Sequence, residues 1–98
     1  MLHFWSTLCK PCLDNLEAVR GFWKSFGGKN WVVVSLTTET DLPTVQQAVL
    51  KRHMDWMVGM VGPEARRYYA NHPLPVIVKI NEKGLVENKN IALGAHPR

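Results

Sequence analysis

Two cysteines, the only two in the chain, stand three apart in Cys9-Lys10-Pro11-Cys12. That spacing serves thiol–disulfide exchange: one thiolate attacks a disulfide sulfur, and a second thiol within reach resolves the mixed disulfide. The apolar run Leu2-His3-Phe4-Trp5 before the pair and a helical periodicity after it place the motif where a strand meets a helix. A cysteine at a helix N-terminus faces unpaired backbone N–H groups and the positive end of the macrodipole, and both favour thiolate over thiol. Lys10 adds positive charge of the same sense. Pro11 suits the first turn, where its missing N–H would be unsatisfied anyway, and it stiffens the loop. The expected roles are Cys9 as attacking nucleophile and Cys12, one turn further in, as resolving thiol.

Such a pair has three other possible uses: a structural disulfide, half of a zinc site, and two unreactive thiols. Zinc takes four ligands, but there is no second cysteine pair, and His3, His53, His72 and His96 lack the spacing of a ligand pair. A disulfide three residues long closes too small a loop to stabilise much through the unfolded state. Redox chemistry is the favoured reading, with no metal.

The elements that must hold the pair follow from pattern. Leu2 to Trp5 reads as a short buried strand, and Lys10 to Phe26 as an amphipathic helix with Leu13, Leu16, Val19, Trp23 and Phe26 on one stripe. Gly27-Gly28 is expected to end it in the left-handed conformation. Trp31 to Leu36 is a β-branched strand with the continuous apolar character of one covered on both faces. Strand, helix and strand make a right-handed βαβ unit with parallel strands. A second helix is expected over Leu42 to Met54, with Asp41 as N-cap and Leu42, Val45, Ala48 and Val49 facing inward. Asp55 to Val61 has no clear reading. Pro63 to Asn71 reads as a short helix, Pro75 to Ile80 as a strand, Asn81 to Gly84 as a hairpin turn, and Leu85 to Ile91 as the returning antiparallel strand.

Ninety-eight residues make one domain, 1–98, with a thin stability margin. The composition, 46% apolar and 20% charged with four tryptophans, excludes a disordered, collagen-like or disulfide-dense chain. No apolar run approaches the roughly 20 residues that cross a bilayer. Twelve Lys and Arg against eight Asp and Glu give a net charge of +4, but the cations are spread along the whole chain, so no nucleic-acid partner is expected. The start Met1-Leu2-His3-Phe4-Trp5 does not have the basic region, apolar stretch and small-residue cleavage site expected of a signal peptide. Both a complete cytosolic chain and a fragment whose export signal lies elsewhere fit that beginning.

A second signal stands apart from the cysteines. In His72-Pro73-Leu74-Pro75-Val76, a proline abuts the start of a strand. X–Pro bonds alone go cis cheaply, and a cis bond at Leu74–Pro75 would expose the flanking backbone to an incoming peptide. Pro73 competes for this role; Pro75, next to the strand, is favoured.

The text Leu2-His3-Phe4-Trp5-Ser6-Thr7-Leu8-Cys9-Lys10-Pro11-Cys12, with Leu74-Pro75-Val76 running on to Gly84, resembles the thioredoxin superfamily and in particular its TlpA/ResA-like thiol-disulfide oxidoreductases. The resemblance implies an α/β thioredoxin-like fold, here a minimal four-stranded mixed sheet flanked by helices, with strand order 31–36, 2–5, 75–80, 85–91 and the last two antiparallel to their neighbours. It implies a partly exposed Cys9 beside Pro75, a buried Cys12, and substrate contacts from Trp5, Leu8, Leu74 and Pro75.

Three departures from the family text matter. His3 stands where thioredoxins carry a buried Asp, so it either relays the Cys12 proton or is a satisfied core residue. Leu8 replaces the usual aromatic before the nucleophile. The family's first strand or hairpin and its C-terminal helix are missing; the lost helix is expected to leave an apolar patch on the sheet face shared with the Cys9 helix, open to homodimerisation or to the rest of a longer protein.

The function expected is exchange of disulfides with protein or peptide substrates, with electrons supplied by a partner redox protein and no cofactor. Lys10 in the motif is expected to raise the reduction potential above that of thioredoxin. The alternative is a thioredoxin-like peptide-binding module of a larger protein with little turnover. The resemblance leans toward an exported, envelope-facing location.

Overall fold

The computed structural model describes residues 1–69 and 73–89. Strand β1 (Leu2–Trp5) leads through a tight turn into helix α1 (Lys10–Phe26), and the chain returns as β2 (Val34–Thr37), parallel to β1 with Phe4 opposite Leu36 and Trp5 opposite Thr37. Helix α2 (Leu42–Lys51) then carries it to β3 (Met57–Met60), parallel to β2. After α3 (Pro63–Tyr69), β4 (Val76–Ile80) pairs antiparallel with β1, and β5 (Val86–Lys89) pairs antiparallel with β4. The sheet order is β3-β2-β1-β4-β5. His72, the end of the expected strand 85–91 and the tail 92–98 lie outside the described residues.

The expected order of four strands is present, with β4 and β5 antiparallel as implied, but the sheet has a fifth member. Strand β3 comes from the stretch that the sequence left unread. Its Gly59 lies on the β2 side at ordinary packing distance from Leu36, 3.4 Å from where a Cβ would stand. A Cβ there would make an ordinary contact with the Leu36 side chain.

Alternation along β1 divides the core. Trp5 joins one buried cluster with Cys12, Leu16 and Val19 of α1, Val45 of α2, Trp56 and Ile77. Phe4 points the other way and stacks on Tyr69 of α3, ring centroids 4.3 Å apart. Both parallel crossovers step in the same direction and are right-handed, so α1 and α2 lie on one face and α3 on the other. On the α1 side of the sheet, α2 packs Val45, Ala48 and Val49 into the same cluster, while Leu42 and Leu50 of α2 and Met57 and Met60 of β3 remain exposed.

Strand β2 also differs from its reading. It begins at Val34 rather than Trp31, and its buried residues are Ser35 and Thr37, while Val34 and Leu36 are half-buried. The polar pair faces the helices because it is hydrogen-bonded there. In α2, Val45 is buried but Leu42 is half exposed, and the helix stops at Lys51; Met54 reaches the core from the turn that follows. Asp41 makes no side-chain cap to the backbone and instead accepts from the Thr44 hydroxyl at 2.6 Å.

The end of α1 needs two glycines for different reasons. Gly28, not Gly27, has the left-handed backbone, with φ 76°. Gly27 is extended, and its N–H donates to the Trp23 carbonyl at 2.7 Å. A Cβ at Gly27 would stand 2.6 Å from that carbonyl oxygen and would overlap the Trp23 indole. Gly27→Ala is therefore expected to destabilise the fold by about 1–3 kcal/mol, the usual cost of overpacking, seen as a lower urea midpoint with unchanged slope.

Candidate functional site

Cys9 occupies the N-cap of α1, with the extended backbone that such a position needs. Its sulfur accepts the Cys12 backbone N–H at 3.2 Å, one of the donors a helix start leaves unpaired. Lys10 and Pro11 form the first turn, so the proline removes a donor that the helix could not have used. Cys9 and Cys12 are joined as a disulfide with their Cα atoms 5.2 Å apart. The two sulfurs differ in access. Cys12 is fully buried within the core cluster, whereas Cys9 is half-buried at its edge.

From the other side, the β4 entrance comes up to the pair. The Leu74–Pro75 bond is cis, and the Leu74 carbonyl oxygen lies 3.6 Å from the Cys9 sulfur. Leu74 and Pro75 are half-buried, and Leu8 is 88% exposed immediately before Cys9. Cys9, Leu8, Leu74 and Pro75 thus border one surface. Trp5 does not: it is fully buried. The expectation that it touches substrate is corrected, because the β1 alternation that points His3 into the helix-covered core points Trp5 there too.

Lys10 follows Cys9 in the first turn and pairs along the helix. Its ammonium bonds both carboxylate oxygens of Asp14, at 3.0 and 3.2 Å, one helical turn on. The pair is exposed and worth only about 0.3–0.5 kcal/mol to the helix. Its consequence is electrostatic. The added cation beside Cys9 is largely offset by an anion, so the helix N-terminus and the Cys12 N–H are the principal local supports for a thiolate.

His3 is fully buried, and its Nδ1 is 2.8 Å from the Ser35 hydroxyl, which also accepts the Trp56 indole N–H at 2.8 Å. Burial pushes the imidazole down from 6.5 to about 4, so His3 is neutral at pH 7. Its ring is held in a hydrogen-bonded core network on the same sheet face as Cys12.

Glu39, to which the sequence reading assigns no role, lies in the loop between β2 and α2. Its carboxylate accepts the Thr7 backbone N–H at 2.7 Å, the Thr7 hydroxyl, and the Thr37 hydroxyl at 3.2 Å. A signal was available: parallel pairing of β1 and β2 sets the segment after Thr37 beside the segment after Trp5, which leads to Cys9. Among the described residues, no group of three or more His, Cys, Asp or Glu is arranged to hold a metal ion.

No protein-family model matches the sequence, and no curated protein matches it significantly. Among solved structures it is similar to a candidate thiol-disulfide oxidoreductase from Bacteroides vulgatus, determined in solution, with a TM-score of 0.73 and 20% identity. The match covers 88% of this chain and 58% of that one, so the chain spans less than two thirds of that protein's length. At such identity the likeness is one of architecture. The chain has a thioredoxin-like α/β fold with a disulfide-bonded cysteine pair at the junction of its first strand and first helix.

Proposed function

We propose that the protein is a thiol-disulfide oxidoreductase that reduces disulfides in protein substrates, within the TlpA/ResA-like branch of the thioredoxin superfamily. The observation that carries this reading is the unequal pair: a half-exposed Cys9 sulfur at a helix N-cap, bonded to a fully buried Cys12. In the reduced protein the Cys9 thiolate attacks one sulfur of a substrate disulfide, forming a Cys9–substrate mixed disulfide and releasing one substrate thiolate. Cys12, as thiolate, then attacks the Cys9 sulfur; the internal disulfide forms and the second substrate thiol leaves with a proton. Two electrons pass from protein to substrate, and a dithiol partner protein returns them. Leu8, Leu74 and Pro75 form the contact surface for the substrate chain.

Equilibration with glutathione buffers tests the reading. The Cys9–Cys12 couple is expected between about −270 and −120 mV, the span of proteins that exchange disulfides. A potential below about −300 mV, together with failure of the reduced protein to reduce insulin, would make the bond a structural one. A potential in range without turnover would instead favour a peptide-binding module.

A further inference from the structure

We propose that Glu39 is a positioning residue for disulfide exchange: it clamps the turn that carries Cys9 from the adjacent loop. The proposal rests on the oxidoreductase reading and adds a residue to it. The turn between β1 and α1 is Ser6 to Cys9, closed by the Cys9 N–H donating to the Ser6 carbonyl at 3.2 Å. The Leu8 N–H is held by the Ser6 hydroxyl at 3.1 Å. Those bonds are internal to the turn and do not fix it to the rest of the molecule. Thr7 does that: its N–H and its hydroxyl both go to the Glu39 carboxylate, one to each oxygen.

Glu39 is itself anchored twice to Thr37, which pairs with Trp5 in the sheet. Its carboxylate accepts from the Thr37 hydroxyl and its own N–H donates to it, each at 3.2 Å. The sheet therefore reaches the nucleophile's turn by a second route besides the chain itself. Both carboxylate oxygens are engaged by the Thr7 and Thr37 donors, so Glu39 acts by holding. Charge-assisted bonds of this type are about twice as strong as neutral ones, and the bidentate form adds geometric definition. The object held is the geometry of the Cys9 sulfur, which must meet the Cys12 N–H on one side and an incoming disulfide beyond Leu8 on the other.

The test compares Glu39→Ala with Glu39→Gln in the full chain. Glutamine keeps an acceptor for the Thr7 N–H and can donate to its hydroxyl; alanine keeps neither. In Glu39→Ala the rate constants for insulin reduction and for alkylation of reduced Cys9 by iodoacetamide are expected to fall about tenfold, as for loss of hydrogen bonds to a charged group. The Thr7 amide is expected to exchange its hydrogen at least about tenfold faster. Glu39→Gln is expected to restore both within about twofold. Wild-type rates and Thr7 protection in Glu39→Ala would overturn the clamp, as would a glutamine variant as impaired as the alanine one. If the wild-type protein reduces no disulfide, the functional reading fails instead, and the alkylation and amide measurements still decide the clamp.

Discussion

Cys12→Ser is expected to convert the protein from a catalyst into a trap, accumulating mixed disulfides through Cys9, while Cys9→Ser abolishes exchange altogether. The asymmetry follows from access. Cys9 is the half-exposed sulfur, bordered by Leu8 and Leu74, so the first attack belongs to it. Cys12 is fully buried, one turn into α1, and reaches only the Cys9 sulfur. Without the Cys12 sulfur, a Cys9–substrate bond has no internal thiolate to displace it. Loss of Cys9 is expected to lower the rate of insulin reduction by on the order of a thousandfold or more, because a hydroxyl at ordinary pKa does not replace a thiolate nucleophile. Non-reducing gels of the Cys12→Ser variant incubated with a disulfide-containing protein read the trap directly. Equal trapping by Cys9→Ser and Cys12→Ser would show that the sulfurs do not have these roles.

The second large effect is on stability against acid. His3 is depressed to about 4 in the folded protein by burial, against 6.5 for an accessible imidazole. The unfolded chain therefore binds a proton that the native protein resists. Above pH 6.5 both states hold His3 neutral and nothing is lost. As pH falls from 6.5 toward 4, protonation of the unfolded chain pulls the equilibrium toward unfolding. Linkage gives about 2 kcal/mol of lost stability at pH 5 and about 3 kcal/mol at pH 4 from this group alone. For a domain of this size that is a large share of the total. Urea unfolding of wild type and His3→Gln at pH 7, 5 and 4 isolates the contribution: the variant is less stable at pH 7, since it disturbs the Ser35 bond, but its stability should fall less steeply below pH 6.5. Parallel pH slopes for the two proteins would refute the assignment.

The parts of this molecule visible in its sequence are those governed by local rules. The bounds of α1, Lys10 to Phe26, follow from a regular apolar stripe, a proline in the first turn and glycines at the end. The turn after β4 follows from Asn81, whose side chain accepts the N–H groups of Lys83 and Leu85, and from Gly84 with φ 81°. The cysteine pair lies at the strand-to-helix junction because that junction is itself locally encoded. What escaped reading depends on neighbours remote in the chain. Strand β3 is four residues with a glycine, and it becomes a strand by pairing with β2. Ser35 is buried because His3 and Trp56 supply its partners from other elements. Leu42 belongs to the apolar stripe of α2 by spacing, yet it lies beyond the edge of the packed face. Trp5 was assigned by resemblance to the substrate surface, whereas strand alternation alone assigns it to the interior with His3.

Among the described residues, α1 and α2 lie on one side of the sheet and α3 on the other, which makes the molecule energetically lopsided. None of the residues of α3 is fully buried, while α1 contributes Cys12, Leu16 and Val19 to the main cluster. In native-state opening, regions with few buried apolar contacts come apart at low free energy, and well-packed ones only with the whole. The α3 layer can therefore breathe while the helix bearing the sulfurs stays seated. The cysteine pair is built into the part of the protein that lets go last.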